Sequence, residues 1–179
     1  MITLEKSEYF EFHKLNQSLF YYAGISENVI EIMDFFDFLK LSIEERFKCR
    51  EVLISKPELI AEFLALNRQN LSVGEIKIVK DFMRRITGTF VVVGYEKNHA
   101  VFIDSKDTNM YAVKALTDPF QDLLPALPVM VTTTIMPFKN KIVYDGYMFT
   151  SEQLEDNFKN EFMTGYFEAL KVKKIITTY

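Results

Sequence analysis

Cysteine and histidine are scarce in this chain, in which Cys49 is the only cysteine and His13 and His99 are the only histidines. A single cysteine cannot form an intrachain disulfide, and the common structural zinc sites need four Cys or His ligands. Cys49 also lies within a predicted helix and outside any local signature of a catalytic cysteine, so a buried, unreactive thiol is the favoured interpretation. The sequence therefore predicts no metal and no cofactor.

Long apolar runs are absent as well. A membrane-spanning helix needs about 18 or more consecutive apolar residues, and a signal peptide needs a shorter apolar core behind a basic start. The opening residues, MITLEKSEYFEFHK, contain neither feature. We therefore expect a cytoplasmic protein without a membrane partner.

Charge of one sign does not dominate any part of the chain. The net charge is −4 at pH 7, with 21 Lys and Arg against 25 Asp and Glu. Residues 1–87 hold 12 basic and 14 acidic side chains, and residues 88–179 hold 9 and 11. Because both halves are slightly acidic, no basic domain is set apart, and the composition argues against nucleic acid as the partner.

Phenylalanine and tyrosine, by contrast, are plentiful, with 17 Phe and 9 Tyr in 179 residues, although tryptophan is absent. A buried aromatic side chain removes about 150–250 Å² from water, so this chain has the means to build a substantial core. The length fits one domain or two closely associated halves.

Five short runs are rich in Val, Ile, Thr, Phe and Tyr and are separated by turn residues, which is typical of β-strands. The predicted strands are Thr89–Tyr95, His99–Asp104, Met110–Ala115, Val129–Pro137 and Lys141–Phe149. The second is apolar on both faces, so a flanking helix should cover the second side of the sheet. Pro137 has no N–H to donate, which predicts that the fourth strand lies at an edge or ends there. Between the third and fourth strands, Asp118-Pro119 predicts a short helical turn with Asp118 as its cap.

Apolar residues at helical spacing predominate before the sheet. A first helix is predicted over residues 5–23 with Gly24 as its stop, and a second runs from a Ser26 cap to about Leu39. Three capping boxes, in which a serine and a glutamate three residues later satisfy the first amides, mark the later helices. The boxes are Ser42 with Glu45, Ser55 with Glu58, and Ser72 with Glu75, and the helices are Ile43–Ile54, Lys56–Leu66 and Val73–Ile86.

A further amphipathic helix is predicted after the sheet, with Thr150 and Gln153 at the spacing of a cap. Its apolar stripe consists of Leu154, Phe158, Phe162, Tyr166 and Leu170. The last residues, Ile175–Tyr179, have strand propensity and could add to a sheet edge.

These patterns together predict an α+β fold. It comprises an N-terminal helical half (1–87), a five-stranded antiparallel meander or small barrel (88–150), and a C-terminal helix and tail (151–179) packed on the sheet. Open strand edges and apolar surface favour self-association. We therefore expect a homodimer that uses either Ile175–Tyr179 or the edge near Pro137.

Two stretches near the strands are candidates for a site. His99 and Asp104 flank the second strand, and Tyr95 lies just before it. A histidine with a carboxylate can act as acid and base. However, their positions along one strand have opposite parity, so the two side chains should point to opposite faces of the sheet. The other stretch is Tyr144-Asp145-Gly146-Tyr147, where Asp-Gly inside a strand pattern predicts a bulge. A bend is the favoured interpretation, and a pocket lined by Tyr144, Asp145 and Tyr147 is the functional one.

Charged helix faces supply the remaining candidates. The basic set is Lys77, Lys80, Arg84 and Arg85, and the acidic set is Glu27, Glu31, Asp34 and Asp37. The basic set could contact phosphate or an acidic partner, but a solvated face with Asp81 in its midst is favoured. The acidic set lacks the spacing of a calcium loop and is likewise interpreted as a solvated face.

A recognisable combination of features lies between Glu75 and Gly146. An apolar helix ends in Arg84-Arg85 and Gly88-Thr89-Phe90 opens a Val-rich strand. Further on lie Tyr111-Ala112-Val113, Leu127-Pro128 and the run from Pro137 to Gly146. In these features the chain resembles a poorly characterised family of bacterial proteins without an established activity. Some similar proteins carry a C-terminal Cys/His metal motif that is missing here, so the resemblance implies a bacterial, cytosolic protein and no metal.

The scarcity of acid–base, nucleophilic and metal-binding side chains, beside so many aromatics, favours a non-catalytic binding or regulatory module that acts through protein–protein contacts. Two alternatives stay open. One is a nucleic-acid-binding protein that uses the basic face of Lys77, Arg84 and Arg85, and the other is a small hydrolase or transferase that uses Tyr95, His99 or Asp145.

Overall fold

The computed structural model describes residues 3–31, 33–150, 156–172 and 174–179. Its fold is α+β, and the chain divides into two compact units. Phe10–Arg84 form one, called the helical unit, and Met1–Tyr9 with Arg85–Tyr179 form the other, called the barrel unit. The first residues join the barrel unit through a hydrogen bond from the Leu4 amide to the Ala115 carbonyl at 3.0 Å. The helical pattern of the residues that follow gives no sign of this pairing.

Helices and one 3-10 turn account for the helical unit. The helices are α1 (Lys6–Ser26), α2 (Phe35–Phe38), α3 (Ile43–Ser55), α4 (Leu59–Asn67) and α5 (Val73–Phe82), and the 3-10 turn is Arg68–Asn70. Side chains from every one of the five helices are buried. Phe12 and Phe82 meet edge to face with their ring centres 5.6 Å apart. Cys49 is fully buried in this core, as its sequence context indicates, and burial raises the pKa of its thiol.

The predicted helix from Ser26 to Leu39 is wrong for most of its length, because α1 continues through Ser26. Gly24 lies inside α1 and does not stop it; its carbonyl accepts bonds from the amides of Val29 and Ile30 just beyond the helix. Asn28, directly before Val29, has a left-handed φ of 56°, a conformation that asparagine tolerates better than most residues. Helix α2 is therefore only four residues long, and Asp34 caps it by accepting from the Asp37 amide.

Two of the three predicted capping boxes are confirmed, at Ser42 with Glu45 and at Ser72 with Glu75. The third is wrong. Ser55 is the last residue of α3, where its hydroxyl donates back to the Val52 carbonyl at 2.9 Å, and no side chain caps α4. The sequence pattern is the same at all three serines, but a helix begins directly after the serine only at Ser42 and Ser72.

This difference predicts different costs for one substitution. Ser72→Ala should lower the free energy of unfolding by about 1 kcal/mol, because the Glu75 amide loses its acceptor. Ser55→Ala is the matched control and should change it by less than about 0.5 kcal/mol. Urea unfolding followed by circular dichroism measures both, and equal losses would contradict the assignment of the caps.

Six strands build the barrel unit. They are β1 (Ile86–Tyr95), β2 (Ala100–Asp104), β3 (Met110–Lys114), β4 (Val129–Phe138), β5 (Lys141–Thr150) and β6 (Ile175–Ile176). Their order is β2-β1-β4-β5-β3-β6, and an additional pairing of β2 with β3 closes the first five into a ring. Helix α6 (Phe120–Leu123) lies between β3 and β4, with Pro119 in place of the predicted Asp118 at its cap position and no side-chain cap bond.

The predicted antiparallel meander is wrong, because β3 pairs in parallel with both β5 and β6. After β3 the chain crosses to the edge of β1 that β2 leaves open, where β4 pairs with β1. Strand β5 then pairs with β4 on one side and with β3 on the other. Pro137 accordingly lies in a central strand, so the predicted edge is wrong, but the strand ends one residue later, at Phe138, in line with the other predicted outcome. The pairing of β4 with β1 extends only to Ile135, so Pro137, which has no N–H, lies where β4 pairs with β5 alone among the described strands.

The inner side of the ring is filled by aromatic side chains. Phe102 contacts the rings of Phe90 and Phe120, at centroid distances of 6.1 and 5.3 Å. Phe120 continues to Tyr144, while Phe90 continues to Tyr111. The plentiful aromatics of the sequence thus form one connected core in this unit.

The outer side of β1 and β2 is apolar too, and helix α7 (Asp156–Val172) covers it. Phe162, Met163 and Tyr166 of this helix pack against valines of β1 and β2, which confirms the prediction that a helix covers the second face. The predicted helix start from residue 151 onward, Leu154 and the side chain of Phe158 lie outside the described residues. Strand β6 pairs with β3 of the same chain, so it is already engaged within the chain and competes with the use of this segment as a dimer contact. The homodimer itself stays a prediction.

Candidate functional site

The turn between β1 and β2 presents side chains in two directions. Tyr95 and Ala100 are the last paired residues, and the Glu96 amide donates to the His99 carbonyl at 2.8 Å to close the turn. The hydroxyl of Tyr95 donates to the Leu124 carbonyl, so this tyrosine holds the segment after α6. Glu96 and His99 instead line a cleft beside α7.

This cleft, called the hairpin cleft below, has a volume of about 260 Å³. Its described lining residues are Glu96, His99, Leu170, Ile175 and Thr177. Three elements build it: the β1–β2 turn and, about 70 residues further along the chain, the C-terminal half of α7 and the strand β6 that follows it. Two polar groups from the turn thus face an apolar wall from the C-terminal residues, a combination typical of small binding sites.

Tyr166 fixes the position of the Glu96 carboxylate. Its phenol donates to Glu96 Oε1 at 2.6 Å, and only 6% of Tyr166 is exposed. Burial, followed by this bond, raises the pKa of Tyr166 to about 12, so the phenol stays protonated at neutral pH. Gly94 makes the contact possible, because a Cβ at that position would lie 2.7 Å from the tyrosine oxygen.

His99 faces the cleft as a neutral imidazole. Burial lowers its pKa most, and nearby Lys114 lowers it further, while the Glu96 carboxylate opposes both. Among the described residues no side-chain hydrogen bond to the imidazole is present. It can therefore offer one donor and one acceptor to a ligand.

The two histidines predict a pH dependence of stability. The pKa of His13 is also lowered, by burial first and by Arg46 second. For both residues the unfolded chain, whose imidazoles titrate near about 6.5, binds more protons than the folded chain just below that pH. The free energy of unfolding should therefore fall as pH falls below about 6.5, by at most about 1.4 kcal/mol per pH unit and histidine.

Urea unfolding between pH 5 and pH 8 measures this slope. His99→Gln and His13→Gln should each flatten it, since glutamine does not titrate. Carboxylates change stability at lower pH. The pKa of Glu75 is lowered to about 2 by Lys14 and by the Ser72 cap, so its contribution to the free energy of unfolding is lost only as pH falls below about 4.5. An undiminished slope in the double variant would rule out the histidines as its source.

The predicted bulge at Asp145-Gly146 is present. Residues 145–147 of β5 lie opposite the single residue Thr134 of β4, and Gly146 has a left-handed φ of 94°. The Asp145 carboxylate accepts from the Tyr147 amide at 3.0 Å and is buried. Tyr144 points to the aromatic core, where burial raises its pKa to about 12. These three candidates are structural parts of the bend, and the described lining of the hairpin cleft includes none of them.

The basic candidates are spread over two units. Lys77 and Arg84 belong to the helical unit and Arg85 to the barrel unit. Helix α5 ends at Phe82, so neither arginine lies on it. Arg84 pairs with Asp81 at 2.6 Å, as expected for a solvated surface. His99 and Asp104 are not bridged either, because Asp104 accepts from the Lys106 amide in the next turn.

A second, larger cleft of about 720 Å³ lies between α7 and the β2–β3 turn. It is lined by Thr108, Asn109, Met110, Gly165, Glu168, Lys171, Val172 and Lys174. Its charged side chains are exposed, so water competes for any ionic contact they make. The half-buried groups of the hairpin cleft are better placed to bind.

Of the hairpin cleft, the sequence indicated only His99. Glu96 and Tyr166 lie 70 residues apart, and no local pattern joins them. One signal was available: Gly94 interrupts a Val-rich strand, which indicates a bulge or a close approach of another group. The structure shows both, since the register of β1 and β2 also shifts between Val92 and Gly94.

No protein-family model, curated protein or solved structure matches this chain, and the family resemblance stays a prediction. Within the described ranges, no group of three or more His, Cys, Asp or Glu side chains could hold a metal ion. None of the helices formed by those same residues is both long enough and apolar enough to cross a membrane.

Proposed function

We propose that this protein is a non-catalytic binding module whose hairpin cleft holds a lysine or arginine side chain of a protein partner. The carrying observation is the Glu96 carboxylate. It is half-buried beside a neutral imidazole, and within the part of the chain that the structure describes it pairs with no lysine or arginine. A carboxylate in such a place is complementary to a cation, and the charge-assisted bond is stronger than a neutral one.

The walls of the cleft fit the rest of such a side chain. Lysine and arginine carry their charge on an aliphatic stem that packs on apolar surface. Leu170 and Ile175 supply that surface next to Glu96. Phe167, three residues before Leu170, is 54% exposed and extends the apolar surface along α7. A partner segment with a basic residue next to an apolar one would match this pattern.

Catalysis is supported less well by the same geometry. Tyr166 has a pKa of about 12, far above the range of an efficient acid or base at neutral pH. Tyr95 and Asp145 use their polar groups to bond backbone atoms. The Tyr, His and Asp candidates of the hydrolase alternative therefore do not meet at the hairpin cleft.

One observation favours the nucleic-acid alternative. A closed ring of five strands in the order 1-2-3-5-4, with strands 3 and 5 parallel, is also the connectivity of OB-fold barrels, which bind oligonucleotides on the face of strands 2 and 3. Here α7 packs on the outer apolar face of β1 and β2, next to β3. The excess of acidic residues in this half further opposes binding to phosphates.

A selection from a random peptide library displayed on phage tests the proposal. The full-length protein should enrich peptides that carry Lys or Arg beside an apolar residue. Glu96→Gln should abolish this enrichment and weaken a selected peptide about tenfold or more by calorimetry, because the charge is lost while an oxygen remains for Tyr166. Glu168→Gln, in the neighbouring cleft, is the matched control and should leave the affinity unchanged.

The contrary outcomes are equally definite. The proposal fails if Glu96→Gln selects the same peptides as the unchanged protein, or if the enriched peptides carry no basic residue. Tight binding of a labelled single-stranded oligonucleotide that weakens steeply with salt would favour the nucleic-acid alternative instead.

A further inference from the structure

A third cleft lies in the helical unit and is independent of the hairpin cleft. It has a volume of about 370 Å³ and is called the acidic groove below. Its described lining residues are Val29, Ile30, Glu31, Met33, Leu41, Glu45 and Lys48. The α1–α2 connection supplies the first four, and the start of α3 with the residue before its cap supplies the others. Four of the seven are apolar, which is unusual for surface connections.

The described walls of the groove are held by defined bonds. The Tyr21 hydroxyl donates to the Met33 carbonyl at 2.5 Å, and the rings of Tyr21, Phe35 and Phe38 pack together behind it. On the opposite side, Glu45 is fixed by the Ser42 cap. A groove that is already formed loses little conformational entropy when it is filled.

Apolar surface continues around the groove on the same elements. Val29 is 36% exposed, Phe36 of α2 is 75% exposed and Ile43 in the first turn of α3 is 67% exposed. Exposed apolar side chains that occur singly need no explanation, but several on consecutive elements beside a groove indicate a contact surface.

The charged side chains around the acidic groove indicate which kind of partner segment would bind there. Residues 27–48, which include all of the described lining residues, contain six acidic and three basic side chains, and Lys48 lines the groove together with Glu31 and Glu45. The acidic ones are Glu27, Glu31, Asp34, Asp37, Glu44 and Glu45. Glu27 and Asp37 pair with lysines, and Asp34 and Glu45 cap helices. Glu31 forms no such bond among the described residues, although it lines the groove.

We propose that the acidic groove docks a basic amphipathic segment of a partner protein, with an apolar side chain in the groove and a lysine or arginine against Glu31. An apolar anchor contributes the affinity of such a contact, and the basic residues contribute the choice of partner and the rate of association. Glu31, which the sequence groups with a solvated acidic face, is on this account a contact residue of the groove.

Titration of the 15N-labelled full-length protein with three synthetic 14-residue peptides tests the docking. The first has leucines at helical spacing and lysines elsewhere, the second has glutamates in place of the lysines, and the third has alanines in place of the leucines. Only the first should bind at micromolar concentration, and its amide shift changes should be confined to residues 29–31, 33–36 and 41–48.

Substitutions separate docking from general attraction between charges. Glu31→Lys should weaken the first peptide about three- to tenfold, because an exposed acid is replaced by a charge that repels the lysines, and Met33→Ala should weaken it without any change of charge. Glu58→Lys, at an exposed acid before α4, is the matched control and should change the affinity less than threefold. Glu96→Gln should leave it unchanged, so the failure of one proposal does not imply the failure of the other.

Three results would overturn the docking proposal: absence of binding, shift changes centred outside the groove, or equal effects of Glu31→Lys and Glu58→Lys. Each variant is first compared with the unchanged protein by thermal unfolding. The exposed position 31 is expected to keep the midpoint, so a loss of affinity there reports on the contact itself. Glu58→Lys places a positive charge at the start of α4 and should lower the midpoint slightly.

Discussion

Replacing Phe102 by alanine should lower the free energy of unfolding by about 3–5 kcal/mol, the range for a large aromatic side chain in a core. Phe102 is fully buried and contacts both Phe90 and Phe120, so it joins the strands of the ring to helix α6. The cavity left behind would be filled only in part, because the neighbouring Phe90 is held on the hydrogen-bonded strand β1. Urea unfolding followed by circular dichroism is the measurement.

Phe149→Ala is the matched control for this prediction. Phe149 lies near the end of β5 and is 48% exposed, so its loss should cost less than about 1 kcal/mol. Similar costs for the two substitutions would contradict the inner and outer assignment of the strand faces.

Gly94→Ala should be the second costly substitution, although it adds only one methyl group. The new Cβ would lie 2.7 Å from the Tyr166 oxygen and 2.8 Å from the ring carbon that bears it. Such overpacking typically costs about 1–3 kcal/mol, and here it would also displace α7 from β1. Tyr166→Ala alone should cost about 3 kcal/mol, since it removes a buried aromatic and the bond to Glu96.

The double variant distinguishes a clash from a general loss. In the Tyr166→Ala background the three atoms that lie nearest to the new methyl group are gone, so Gly94→Ala should then cost less than about 0.5 kcal/mol. The two costs would be far from additive, as is expected only for residues in direct contact. Additive costs would show that Gly94 is needed for the backbone of the strand and not for the approach of Tyr166.

Local features of the fold were predictable because they depend on neighbours in sequence. The boxes at Ser42 and Ser72 and the Asp145-Gly146 bulge each involve residues a few positions apart. The prediction at Ser55 is wrong because a local pattern of two residues does not determine whether a helix begins or ends there.

The candidate site was predictable only in part. His99 is singled out by its rarity, and Gly94 by its position in an apolar strand. The role of Glu96 depends on Tyr166, which reaches it only once α7 is docked on β1. Tyr95, which stands beside Glu96 in sequence, faces the other way and bonds the segment after α6.

By itself the sequence determined the helical N-terminal half, the five main strands and the need for a cover on the second face of β2, because side-chain periodicity reports which faces are buried. Only the tertiary structure decided that β3 pairs in parallel with β5, that the strands close into a ring, and that Glu96 and His99 share a cleft with Leu170 and Ile175. Periodicity states that a face is covered but not which segment covers it. The partner of a strand or a carboxylate is chosen by contacts across the whole chain, where many pairings satisfy the same pattern.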